Sequence, residues 1–220
     1  MLALMLKALL FDLDGTLADT NSVHRLSWVE VLEPHGYDVT WDFYRENITG
    51  RVSADVVEDL FPDFTPEQVR EMDEAKEAGF REQAGALEPF PGLLDLIERS
   101  RKKGLKISLV TNAPKKNVLA VLQVLGLDGA FEPVILADDF GPAKPDPAPY
   151  NAALDALSIS ADEAVAFEDS PAGISSSVAA NIPTVGIAST SAPEDLEGLG
   201  VEMVVRDFAD PRLEAFIEGR

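Results

Sequence analysis

Cysteine is absent from all 220 residues. That excludes disulfides, thiolate metal sites and cysteine nucleophiles, and it permits a reducing compartment without requiring one. Long apolar runs are also missing: nothing approaches the roughly 20 residues that cross a bilayer. The stretch Met1–Phe11 is apolar apart from Lys7, but no basic segment precedes it and Asp12 and Asp14, not a small-residue cleavage site, follow it. A signal peptide fits poorly, a buried strand fits well, and the expectation is a cytoplasmic protein. Positive charge is scarce, with 18 Lys and Arg against 39 Asp and Glu and a net charge of -21. Such a chain is a poor partner for nucleic acid or an anionic membrane. The acids are scattered, so solubility accounts for them more simply than a cationic partner does.

What is present reads as a soluble globular protein, 46% hydrophobic and 26% charged. Its length suits one core domain with a sizeable insertion. Short, nearly continuous apolar runs occur at Leu6–Phe11, Lys106–Val110, Pro133–Leu136, Ala164–Phe167, Thr184–Ile187 and Glu202–Val205. Runs of this kind predict strands covered on both faces, as in a parallel sheet. Between them, Leu93–Lys103, Lys115–Leu125, Pro147–Leu157 and Pro171–Ala180 carry helical periodicity, and Gly104 and Gly126 stop the first two. Strands alternating with helices predict a doubly wound α/β sheet. From Asp19 to about Leu87 the alternation fails. Ser22–Leu32, Ser53–Leu60 (with Ser53 as its cap) and Pro66–Arg81 read as helices there. The predicted division is a core of residues 1–18 and 88–220 with a helical insertion, 19–87.

The strand ends carry the chemistry. Strand one stops at Asp12 and Asp14, strand two at Thr111 and Asn112, and strand four at Glu168, Asp169 and Ser170; Lys144 sits in a proline-stiffened loop after strand three. In an open parallel sheet these ends share one edge, where ligands bind. Several carboxylates in one cleft repel each other unless a hard cation neutralises them. Magnesium suits such oxygen ligands together with substrate phosphate oxygens. Asp12 is then placed to attack phosphorus. Asp14 lies two residues on, on the same side of an extended chain, where it can protonate a leaving oxygen and afterwards activate water. Lys144 and Thr111 would hold the phosphoryl group. Each residue has a plainer reading too: a solvated loop for Asp12 and Asp14, a helix cap for Glu168 and Asp169, a surface lysine for Lys144, a strand end for Thr111 and Asn112.

These motifs resemble those of the haloacid dehalogenase-like superfamily. Phe11-Asp12-Leu13-Asp14-Gly15-Thr16 looks like its first motif, Thr111-Asn112 its second, Lys144-Pro145 its third and Glu168-Asp169-Ser170 its fourth, in order along the whole chain. The insertion is similar to the small cap of the branch containing phosphoglycolate phosphatases, sugar-phosphate phosphatases and β-phosphoglucomutase. The resemblance implies a Rossmann-like core with a helical cap that closes over the site. It implies Asp12 as nucleophile and metal ligand, and Asp14 as general acid/base that also gives magnesium its backbone carbonyl. Thr111, Asn112 and Lys144 would be phosphate-binding, Asp169 a metal ligand, and Glu168 a ligand directly or through water. An acid at Asp14 sets the chain apart from true dehalogenases.

In the insertion, His24 resembles a hinge histidine of the β-phosphoglucomutase-like branch, and Arg51 sits in a loop resembling the cap's specificity loop. Lys76 lies on the long helix, where a charged residue is usually just solvated. Trp28 and Phe43 read as core of the insertion. The resemblance implies a monomeric, magnesium-dependent phosphatase acting on a small phosphorylated metabolite, a sugar phosphate or a phosphoglycolate-like ester, through an aspartyl-phosphate. A phosphosugar mutase shares the same catalytic motifs and is the alternative; a catalytically silent binding module on the same fold is the third reading.

Overall fold

Apolar runs that alternate with amphipathic stretches can bury both faces of each strand only by layering helices on a sheet. The structure, a computed structural model, describes residues 6–49, 51–136, 139 and 141–220. The start of the apolar opening stretch (1–5), and Gly50 beside Arg51, lie outside the described residues. Six strands form one sheet: β1 (Ala8–Phe11), β2 (Lys106–Thr111), β3 (Val134–Leu136), β4 (Ala164–Glu168), β5 (Thr184–Ile187) and β6 (Met203–Val205). Their order is β3-β2-β1-β4-β5-β6 and every pairing is parallel. All six expected strands are present, with ends shifted by a residue or two. The α/β fold read from the sequence is the fold observed.

The register aligns Phe11 with Leu109 on one side and with Phe167 on the other. β1 therefore lies at the centre, and the residues just past Phe11 emerge beside those just past Phe167. The two faces are packed by alternate residues, as a pleated strand requires. Ala8 and Leu10 join Val110, Ile135, Tyr150, Ala153, Leu154 and Ala166 in one buried cluster. On the other face Phe11 stacks on Phe167 at 4.7 Å, with Phe208 and Phe131 against its ring at 5.8 and 6.0 Å.

The chain divides into two compact units, Met1–Asp19 with Glu88–Arg220, and Thr20–Leu87. In the first, the segment leaving the sheet pairs with the segment returning: Ala18 bridges Pro89, and the Phe90 amide donates to the Leu17 carbonyl at 2.9 Å. The helices flanking the sheet are α5 (Leu93–Lys102), α6 (Lys115–Val124), α7 (Ala148–Leu157), α8 (Pro171–Ala179), α9 (Pro193–Glu197) and α10 (Pro211–Glu218). The last two are short, five and eight residues, and were not among the helices read from the sequence.

The second unit holds α1 (Thr20–Leu32), α2 (Trp41–Asn47), α3 (Ser53–Leu60) and α4 (Pro66–Gln83). Its own core comprises Trp28, Leu32, Val39, Tyr44, Ile48, Val56, Val57 and Val69, with Phe43 packed against it. Thr65 and Gln68 close α4 with reciprocal capping bonds. The expected serine cap of α3 is not there. Val52 holds the cap position and Ser53 is already helical, its hydroxyl donating to Glu77 Oε1 at 2.9 Å. α2 also went unread, although Thr40 caps it through the Phe43 amide. Among the described residues no helix is long and apolar enough to cross a membrane.

The central aromatic stack should dominate the stability of the first unit. Phe167 is fully buried, so Phe167→Ala should cost about 3–5 kcal/mol in a urea titration, with the midpoint moving far more than the slope.

Candidate active site

Apart from Lys144, in the loop after β3, each chemistry-bearing residue sits at or just past a strand end. Asp12 follows β1 and is fixed by its amide, which donates to the Phe167 carbonyl of the neighbouring strand at 3.0 Å. Gly15 (φ +72°) lets the chain turn immediately afterwards, and no side chain fits there. A Cβ would lie 2.0 Å from Asp169 Oδ2. Glu168 ends β4 and is wholly buried. It lies over α8 at Gly173, where a Cβ would meet Glu168 Oε2 at 1.8 Å. The cap of α8 is Ser170, whose Oγ accepts from the Gly173 amide at 3.1 Å. Glu168 and Asp169 are thus not needed as caps.

Lys144 unites the site. Its Nζ donates to Asp12 Oδ1 at 2.7 Å, to Glu168 Oε1 at 2.6 Å and to the Val110 carbonyl at 2.7 Å. An ammonium has three protons, and all three are engaged in a setting where Lys144 is only 7% exposed. Asn112 serves the same loop: its side chain accepts from the Lys144 amide at 3.1 Å and donates to the Lys144 carbonyl at 3.3 Å. Thr111 is buried beside it, its hydroxyl oxygen accepting from the Ala113 amide at 3.0 Å. Asp14 is half-buried in the loop after Asp12 and bridges to Ala18.

Asp12, Glu168 and Asp169 each place one carboxylate oxygen within 4.8 Å of the other two. These are hard, anionic donors of the kind magnesium takes. Glu168 Oε2 is buried and has no hydrogen-bond partner, a costly condition that a cation would relieve. The residues therefore fit the expected metal. The electrostatics agree. Burial lifts the Asp12 carboxyl to about 7; Lys144 opposes this, while Glu168 and Asp14 add to it. Burial and then the Asp12 charge hold Asp169 well above the usual carboxylate range, against the Thr190 hydroxyl bond. Burial alone would lower Lys144, but the Asp12 and Glu168 charges outweigh it and raise it.

Three contacts here were not read from the sequence. Tyr150 of α7 donates to Glu168 Oε1 at 2.6 Å. In the loop after β5, Thr190 donates to Asp169 Oδ2 and Ser189 to the Gly15 carbonyl. Tyr150 lies on the buried face of a helix and reads as core. Ser189 and Thr190 follow a strand that neighbours β4, and strand order was the only signal that could have flagged them.

The insertion residues fall into the second unit. Lys76 is 3% exposed. Its Nζ lies 2.7 Å from Glu77 Oε1, 3.0 Å from His24 Nδ1 and 3.4 Å from Ser53 Oγ. Lys76 is therefore not the solvated surface lysine that its sequence context suggested. His24 also stacks on Phe80 at 4.0 Å. Arg51 is apart from this group and pairs with Asp59.

Comparison with known proteins agrees with this geometry. The model of the haloacid dehalogenase-like hydrolases matches residues 9–187. The chain belongs to that family. It is 30% identical over 213 residues to validoxylamine A 7'-phosphate phosphatase of Streptomyces hygroscopicus subsp. limoneus, spanning 94% of this chain and 97% of that one. It is 33% identical over 191 residues to CbbY of Rhodobacter capsulatus, spanning 82% and 84%. A crystal structure of mutant CbbY from Rhodobacter sphaeroides, in complex with xylulose-(1,5)bisphosphate, superposes with a TM-score of 0.83 at 26% identity over 94% of this chain and 96% of that one.

A carboxyl raised from 3.8 to about 7 holds a proton in the folded chain that the unfolded chain has released between those values. Stability contributed this way is present at low pH and lost as pH rises through about 7. In chelator, the melting temperature should therefore fall from about pH 4 to about pH 7, and Asp12→Asn should lessen the fall. Equal slopes for the two proteins in differential scanning calorimetry would contradict the placement of Asp12.

Proposed function

We propose that this family member is a phosphatase: a magnesium-dependent phosphoric monoester hydrolase acting on a small phosphorylated carbohydrate or phosphoglycolate-like ester through an aspartyl-phosphate. One observation carries the reading. Asp12, the first acid of the motif, is buried at the end of the central strand in direct contact with Lys144, within a cluster shared by Glu168 and Asp169. The relatives' names support the substrate class, since one is a phosphatase of a phosphorylated carbohydrate-like compound and another a phosphorylated carbohydrates phosphatase.

The proposed reaction has two steps. An Asp12 oxygen attacks phosphorus; the bond from phosphorus to Asp12 forms as the ester bond breaks, and Asp14 gives its proton to the leaving oxygen. Asp14 then takes a proton from water, whose oxygen attacks the same phosphorus and releases inorganic phosphate and Asp12. Lys144 holds Asp12 in a single orientation and lowers the charge that an approaching phosphate meets. Thr111, Asn112 and Lys144 form the phosphate side of the site, Asn112 by docking the Lys144 loop. Asp12, Glu168 and Asp169, with the Asp14 backbone carbonyl, would hold magnesium, whose contribution when bound is to offset the charge of carboxylates and phosphoryl group.

In this reading residues 1–18 and 88–220 are the catalytic core and 19–87 the substrate-selecting cap, with His24, Arg51 and Lys76 as candidate substrate contacts. The relatives' names favour a phosphatase over a mutase.

The test is phosphate release from a panel of phosphorylated metabolites, with magnesium and with chelator. Wild type should act on one or a few compounds only with the metal, and Asp12→Asn should lose at least about 10³-fold in turnover. Isomerisation of a sugar phosphate that requires a bisphosphate primer, without net phosphate release, would replace this reading with the mutase.

A further inference from the structure

We infer that two hydroxyls, Tyr150 Oη and Thr190 Oγ1, fix Glu168 and Asp169 as one-oxygen ligands and so make the site choose a small octahedral cation over calcium. The inference rests on the metal role proposed above for Glu168 and Asp169, and it deepens that role.

A carboxylate oxygen has two lone-pair sites. Glu168 Oε1 accepts from Lys144 Nζ at 2.6 Å and from Tyr150 Oη at 2.6 Å. Both sites on that oxygen are committed. The other oxygen, Oε2, is buried without a partner, and it is the one left for a cation. Asp169 repeats the pattern, with the Thr190 hydroxyl donating to Oδ2. Asp12 is likewise held at Oδ1 by Lys144. Each member of the cluster has one oxygen engaged by a donor from the protein.

The consequence is a matter of coordination number. Calcium takes six to eight oxygens and commonly binds carboxylates through both oxygens. Magnesium is content with fewer ligands but demands near-octahedral order. A site whose carboxylates each offer a single fixed oxygen satisfies the second cation and starves the first. Neither hydroxyl needs to touch the cation; both act as positioning residues. Tyr150 is fully buried in the apolar cluster on one face of the sheet, so its ring explains its burial but not the aim of its hydroxyl. Ser189 and Thr190 belong to a loop, where no packing requirement calls for a hydroxyl on Asp169.

The measurement is calorimetric titration of the intact chain, without substrate, with magnesium chloride and separately with calcium chloride. The proteins are wild type, Tyr150→Phe, Thr190→Val and Thr190→Ser. Tyr150→Phe keeps the ring, and Thr190→Val keeps the branched shape. Wild type should bind magnesium more tightly than calcium. Each hydroxyl deletion should shrink that preference by about tenfold, the scale on which the partners of metal ligands act, and Thr190→Ser should restore it. A preference unchanged within twofold in both deletions, with circular dichroism unaltered, overturns the inference while leaving the phosphatase reading intact. If Tyr150→Phe loses its fold, the Thr190 pair decides alone. If wild type binds neither cation, the metal reading falls, and this inference with it.

Discussion

The site depends on one buried ammonium. Lys144 holds Asp12, Glu168 and the end of β2 together from a position nearly out of solvent. Removing such a charge from water is expensive, and the cost is recovered only when every proton finds an acceptor. Here every one does. The carboxylates nonetheless outnumber the cation, which is why burial and mutual repulsion drive Asp12 and Asp169 upward. The deficit of positive charge is built into the fold, and it is what makes a divalent cation at this edge of the sheet chemically sensible.

The sheet makes the arrangement affordable. Parallel strands buried on both faces provide a rigid frame, and the pairing of β1 with β2 and β4 brings Asp12, Thr111 and Glu168 out side by side. The Phe11–Phe167 stack lies at the last paired residues before Asp12 and Glu168. Well-packed apolar contacts thus end where the charges begin. Two glycines then let the loop after β1 and the first turn of α8 close in. Gly15 and Gly173 each lie where a Cβ would strike a site carboxylate, so the absence of a side chain is itself part of how Asp169 and Glu168 are seated.

The helical unit follows a different rule. Lys76, Glu77, Ser53 and His24 satisfy one another in its interior, and Arg51 is tied to Asp59. The buried Lys76 is matched by Glu77, whereas at the sheet edge the carboxylates outnumber the one lysine. A ligand group that met Lys76 would have to compete with Glu77 for it.

The sequence by itself determined the strand and helix alternation, the helical insertion, and Asp12, Asp14, Thr111, Lys144, Glu168 and Asp169 as residues of one edge. Those follow from local periodicity and from the rule that parallel strands end together. Only the tertiary structure decided that Lys144 is shared between Asp12 and Glu168, that Asn112 docks the Lys144 loop, and that Ser53 turns to Glu77 instead of capping α3. It also brought Tyr150 to Glu168 and Thr190 to Asp169, contacts spanning 18 and 21 residues of chain. The physical reason is the same in each case. Hydrophobic patterning reports which face of an element is buried, but a hydroxyl or amide chooses its partner by distance, and distances between separate elements exist only once the chain has packed.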